Sequence, residues 1–192
     1  MSEILGDWQM RADWRENVTA LRILPPKPPI TAEAPEALHP RLKGWLAERG
    51  LRLYIHQAEA VERALAGEHV VIVTPAASGK TLCYNRPVMD RLLRIPQSRA
   101  LYLFPTKALA HDQLHTLRAL AGDLDLACQP AAYDGDTPSS HRARIRQNAQ
   151  ILLTNPDMLH AGILPMHTPW REFLTHLDYV VVDEMHTYRG VF

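Results

Sequence analysis

Short apolar runs separated by stretches of helical length dominate the chain from His69 onward. The runs are HVVIVT (69–74), RALYLFP (99–105), QILLTN (150–155) and DYVVVD (178–183), with a weaker one, LDLACQPAAY, at 124–133. Most lack the polar alternation of a half-exposed sheet, which predicts strands covered on both faces, as in a parallel sheet. The intervening segments 79–94, 107–121 and 138–148 predict crossover helices, and Pro138 suits a first helical turn. Right-handed crossovers then build a doubly wound sheet whose ligands gather at the carboxyl ends of the strands. Upstream, helices are expected at 39–49, closed by Gly50, and at 57–65, closed by Gly67, with an irregular connection at 51–55. Trp8, Trp14, Leu21 and Leu24 fit one short amphipathic helix within residues 1–24. Five prolines between Pro25 and Pro35 favour extended polyproline II, so residues 25–40 read as a linker. The expected organisation is an extension with a proline-rich linker over 1–38, then one α/β domain over 39–192.

Composition narrows this picture. An apolar fraction of 46% in 192 residues can bury a core. Lys and Arg number 21 against 21 for Asp and Glu, so overall charge gives no argument for nucleic acid, and local motifs must carry one. The two cysteines, Cys83 and Cys128, lie far apart without a CxxC partner, which argues against a disulfide framework or a zinc site. No pair among the ten histidines has ligand spacing with a third ligand at hand. The N-terminus is acidic where a signal peptide would be basic, and no apolar run approaches the roughly 18 residues of a membrane span. A soluble, reduced, cytoplasmic protein without a membrane partner is expected.

Candidate chemistry begins directly after the first apolar run. Thr74, Pro75, Ala76, Ala77, Ser78, Gly79, Lys80 and Thr81 form a strand, tight loop and helix start, the context of a P-loop. Amides from Ala76 to Lys80 would surround a β-phosphate, Lys80 would reach the β and γ phosphates, and Thr81 would supply a hydroxyl to Mg²⁺. Thr74 stands where the strict pattern has glycine, and GKT alone fits an ordinary helix start as well. The second half of the argument is the run 179–182 ending in Asp183 and Glu184. A buried strand can hold Asp183 for water-mediated Mg²⁺ binding and Glu184 as general base; the bland alternative is two acids capping a helix.

With DEMH at 183–186, the chain resembles superfamily 2 helicases of the DEAD/DEAH-box (DExH) type, with companion motifs in the family's order. LYIHQAEAV (53–61) is similar to a Q-motif, which implies that Gln57 reads an adenine edge with Tyr54 packing nearby. TPAASGKT resembles motif I, FPTKALAHDQ (104–113) motif Ia, YDGDTP (133–138) the following loop and TNPDML (154–159) motif Ib. The combination looks most like DNA-repair helicases with a cysteine-rich C-terminal domain. The resemblance implies a P-loop RecA-like three-layer sandwich, mostly parallel, binding ATP and Mg²⁺. It also implies 3′ to 5′ translocation on single-stranded nucleic acid, DNA before RNA.

Pro105, Thr106 and Lys107, Gly135 and Asp136, and Thr154 and Asn155 are the candidate contacts to a sugar–phosphate strand. Thr106 could equally cap a helix, and Asp136 or Thr137 could cap the one that Pro138 opens. Arg142, Arg144 and Arg146 alternate on a helix and read as solvated charge. The family assigns His186 to coupling with a second RecA-like domain. Motifs III to VI find no counterpart before Phe192, so the first half of a two-domain motor is expected, truncated after motif II and slow on its own. The other reading is a nucleotide-responsive module that binds nucleic acid or a partner without catalysis.

Overall fold

The computed structural model describes residues 28–75 and 78–188. The expected amphipathic helix of residues 1–24, with Ala76 and Ala77, lies outside them. Four strands form one parallel sheet: β3 (Arg99–Leu103), β4 (Pro130–Ala132), β5 (Ile151–Thr154) and β6 (Leu177–Val182), in the order β4-β5-β3-β6. Around it run α1 (Pro40–Glu48), α2 (Ile55–Leu65), α3 (Lys80–Arg94), α4 (Lys107–Asp123), α5 (Ser139–Asn148) and α6 (His167–Thr175).

The pleat sends successive side chains of a strand to opposite faces. On β3 this puts Ala100 and Tyr102 into a core with Leu42, Leu46, Val88, Met89, Leu114 and Leu117, from α1, α3 and α4. Leu101 and Leu103 point the other way, into a second core with Leu152, Tyr133, Trp170 and Phe173. These are the three layers that the apolar runs imply, and they explain why β3 and β5 show no polar alternation.

Three expectations are corrected. The apolar run 69–74 joins no ladder among the described residues, and Val71 and Val73 are 72% and 90% exposed. An apolar run becomes a strand only where a neighbour takes up its hydrogen bonds, and here none does. β6 is covered on one face only: Tyr179 and Val181 pack on the larger core while Val180 and Val182 stay exposed. The stretch read as a linker is partly fastened to the body. Within it β1 (Thr31–Ala32) pairs antiparallel with β2 (Leu53–Tyr54) across the connection expected to be irregular, and Leu38 is buried in the core. Asp90 of α3 fixes this entry, accepting from the His39 amide at 2.6 Å and from Arg94 Nε at 2.7 Å. α6 and the helical turns Pro156–Met158 and Leu159–Ile163 are additions that the apolar pattern did not predict.

Candidate functional site

The parallel sheet aligns four strand ends in a row. After β4 comes the loop 133–138, at the end of β5 Thr154 and after it Asn155, after β3 Pro105 to Lys107, and after β6 Asp183 and Glu184. A right-handed parallel sheet opens its crevice at these ends.

Lys80 and Thr81 open α3, whose N-cap Gly79 is left-handed at φ 76°. The positive φ favours glycine here, and a Cβ on Gly79 would come within 2.5 Å of Gln57 Nε2 and displace that amide. Gln57 is buried, and its amide is committed. Nε2 donates to the Gly79 and Ser78 carbonyls at 3.1 and 3.3 Å, and Oε1 accepts from the Tyr54 amide at 2.9 Å. In this conformation Gln57 fixes the loop and is not aimed at a base edge. Tyr54 is exposed and stacks on His56, whose ring nitrogen also lies 3.2 Å from the Ser78 carbonyl. The Lys80 ammonium donates to the Thr74 carbonyl at 2.8 Å, and the Thr74 and Ser78 hydroxyls meet at 2.6 Å.

The two halves of the site meet at Tyr84, which the sequence reading passed over. Its hydroxyl lies 3.4 Å from Thr81 Oγ1 and 3.2 Å from Asp183 Oδ2. Burial pushes the Tyr84 phenol far above its ordinary value, and Asp183 adds to the shift, so the phenol stays a protonated donor. A three-residue spacing from Thr81 puts Tyr84 on the same helix face, the one signal that pointed to it. A hydroxyl and a carboxylate facing one point suit Mg²⁺, a hard cation that takes few protein oxygens and completes its shell with water and phosphate.

Asp183 is anchored by its amide to the Leu103 carbonyl at 3.0 Å, and its Oδ1 accepts from the Glu184 amide at 2.9 Å. Glu184 adopts φ 47°, a left-handed conformation uncommon for a residue with a side chain. Its Oε2 lies 3.3 Å from His186 Nδ1.

The remaining candidates divide by what their polar groups already do. Thr106 caps α4 through the Leu109 amide at 3.3 Å, and Asn155 caps the following turn through the Met158 amide at 2.8 Å. Thr154 leaves the candidate set: it is buried, and its hydroxyl donates to the Tyr133 carbonyl at 2.6 Å. Thr137 does not cap α5, whose N-cap is Pro138; its Oγ1 accepts from the Asp134 amide at 2.9 Å. Arg142 is not solvated charge either. It lies over the Tyr133 ring and donates to the Asp134 and Thr137 carbonyls at 2.9 and 3.0 Å, clamping the loop that carries Gly135 and Asp136. Lys107 meets Asp136 Oδ2 at 2.6 Å.

A family model described as DEAD/DEAH box helicase matches residues 54–192. The uncharacterized ATP-dependent helicase YprA of Bacillus subtilis is 46% identical over all of this chain, which spans 25% of that protein. ATP-dependent helicase HRQ1 of Saccharomyces cerevisiae is 47% identical over 72% of the chain and 13% of its own length. The crystal structure of the DUF1998 helicase MrfA bound to DNA and AMPPNP superposes with a TM-score of 0.86 at 42% identity, covering 99% of this chain and 26% of that one. The chain thus spans about a quarter or less of the relatives it matches. No helix among the described residues is long and apolar enough to cross a membrane.

Proposed function

The chain belongs to the DEAD/DEAH box helicase family, and on that footing we propose that it is the ATP-binding RecA-like part of a DNA helicase motor. In this reading Lys80 neutralises the β and γ phosphates of ATP. Thr81 and Asp183 are the residues that would hold Mg²⁺, Asp183 by way of water, and Glu184 would orient the attacking water. The observation that carries it is the Tyr84 hydroxyl within 3.4 Å of Thr81 and 3.2 Å of Asp183, since residues 102 positions apart converge on one point. Gly79, Ser78 and the loop positions Ala76 and Ala77 cradle phosphate, with Gln57 holding the loop from behind. Tyr54 offers an exposed ring beside it. A bound Mg²⁺ would screen the phosphates; the chain's own part is to orient them and to place Glu184.

Single-stranded DNA is proposed to cross the carboxyl ends of β3, β4 and β5, where Pro105, Thr106, Lys107, Gly135, Asp136 and Asn155 lie. The relative MrfA has been solved bound to DNA, which supports DNA as the strand that is bound. His186, 3.3 Å from Glu184, is proposed to link the nucleotide to a second RecA-like domain. An arginine finger supplied from such a domain is worth about 10³ to 10⁵ in rate, so the 192-residue chain alone should bind ATP and turn it over slowly.

Fluorescent-ATP binding and ATP hydrolysis, each with and without single-stranded DNA, test the reading. Nucleotide binding lost in Lys80→Ala and retained in Glu184→Gln, with little turnover in either, is expected. Binding untouched by Lys80→Ala would place the nucleotide elsewhere and end the proposal.

A further inference from the structure

The proposed nucleic-acid face holds a cation that already has an anion. Lys107 stands in the first turn of α4, at the carboxyl end of β3, and is the lysine in that candidate set. Its ammonium sits 2.6 Å from Asp136 Oδ2. The contact is prepared by the loop. Asp136 donates its amide to Asp134 Oδ1 at 2.9 Å, an Asx-type turn, and Asp134 itself is buried. Thr137 Oγ1 donates to the same Oδ1 at 3.3 Å, and Arg142 grips the loop carbonyls from below. His111, one turn beyond Lys107 on α4, faces Asp134 Oδ2 at 3.5 Å. Asp136 is therefore fixed against Lys107 while remaining largely exposed, on the side where a phosphate would arrive.

We infer that Asp136 is an internal competitor for Lys107, occupying the ammonium until a backbone phosphate displaces it and so lowering affinity for single-stranded nucleic acid. The sequence reading placed Asp136 among the residues that hold the strand; the geometry gives it the opposite sign. A carboxylate contributes no attraction to phosphate, and a paired ammonium must give up its partner before it can engage another. The inference rests on the nucleic-acid reading above. Exposed ion pairs are weak, so the competition should be modest, a few-fold in affinity, which suits release by a single phosphate.

The experiment is anisotropy titration of a labelled oligo-dT strand at low salt with the full chain, Asp136→Asn, Lys107→Ala and the double variant, each checked for folding by circular dichroism. Asp136→Asn should bind about two- to fivefold tighter than the parent, the range of an exposed ion pair. That gain should vanish when Lys107 is already alanine. Equal tightening in both backgrounds would mean general charge repulsion and would overturn the inference, as would unchanged or weaker binding by Asp136→Asn. Absence of binding by every variant would sink the nucleic-acid reading and the competition with it. Parental binding that Asp136→Asn leaves unchanged would sink the competition alone.

Discussion

Arg86 lies inside the protein, 1% exposed, and its Nε and Nη2 find no hydrogen-bond partner among the described residues. Its guanidinium rests 4.4 Å from the Trp45 ring, a ring that Arg49 also approaches at 4.5 Å. Burial pushes the Arg86 guanidinium down to about 10, still charged at neutral pH. A fall from 12.5 to about 10 corresponds to a penalty on the order of 3 kcal/mol. The cation–π contact returns about 1 to 2 kcal/mol of that. Arg86→Leu should therefore raise stability by about 1 kcal/mol, measured as a higher urea midpoint at unchanged slope; a lower midpoint would show that Trp45 needs the cation. Residue-level chemistry was legible where a motif fixes spacing along the chain, which is why the sequence singles out Thr81 and Asp183, both within reach of the Tyr84 hydroxyl. It was not legible where partner choice is tertiary. Nothing in the spacing of Arg142 says that it clamps the loop of Asp134, and nothing near Thr154 says that Tyr133 takes its hydroxyl.

β6 ends directly before Asp183, so whatever seats this strand also positions the carboxylate proposed to hold Mg²⁺. Arg91 of α3 forks onto Asp178 at the strand's start, with contacts of 3.0 and 3.1 Å, and Ser98 donates to the same carboxylate. The guanidinium holds the Asp178 carboxyl below its ordinary 3.8. A carboxyl whose folded value is depressed contributes stability above its unfolded value, and that contribution is lost as pH falls through the folded one. The stability difference between the parent and Arg91→Gln should therefore be full above about pH 5 and close as pH drops below 3.8. It should stay under about 1 kcal/mol, because the pair is partly exposed. Urea unfolding at a series of pH values reads it, and a pH-independent difference would mean that Arg91 acts by packing alone. The strands at 99–105, 150–155 and 178–183 were legible because burial leaves unbroken apolar runs. α6 was not, since its apolar residues are only Trp170, Phe173 and Leu174, and Pro169 just before Trp170 reads as a breaker. The helix covers Leu101, Leu103 and Leu152 together with Tyr133, which lies edge-on to Trp170 at 4.9 Å.

Among the described residues the sheet is covered on one side and open on the other near β6. The larger core is covered by α1 to α4, and the smaller by α6 and the turn at Ile163. That second cover reaches β4, β5 and β3 but leaves Val180 and Val182 at 56% and 43% exposed. Among the described residues β6 is also the terminal strand of its sheet, paired with β3 alone. An open strand edge bearing β-branched residues is a template for pairing with another chain. Hydrophobic burial drives such pairing without geometric precision, so association should appear in the micromolar range where exposed edges begin to meet. Sedimentation velocity across that range should show a weight-average mass that rises with concentration in the parent chain. Val180→Lys with Val182→Lys should abolish the rise while leaving the circular-dichroism spectrum unchanged, because neither side chain enters a core. A parent that stays monomeric throughout would mean that the valine face is too small to associate. Association that survives both lysines would move the contact elsewhere, with the exposed Val71 and Val73 the next apolar positions to charge.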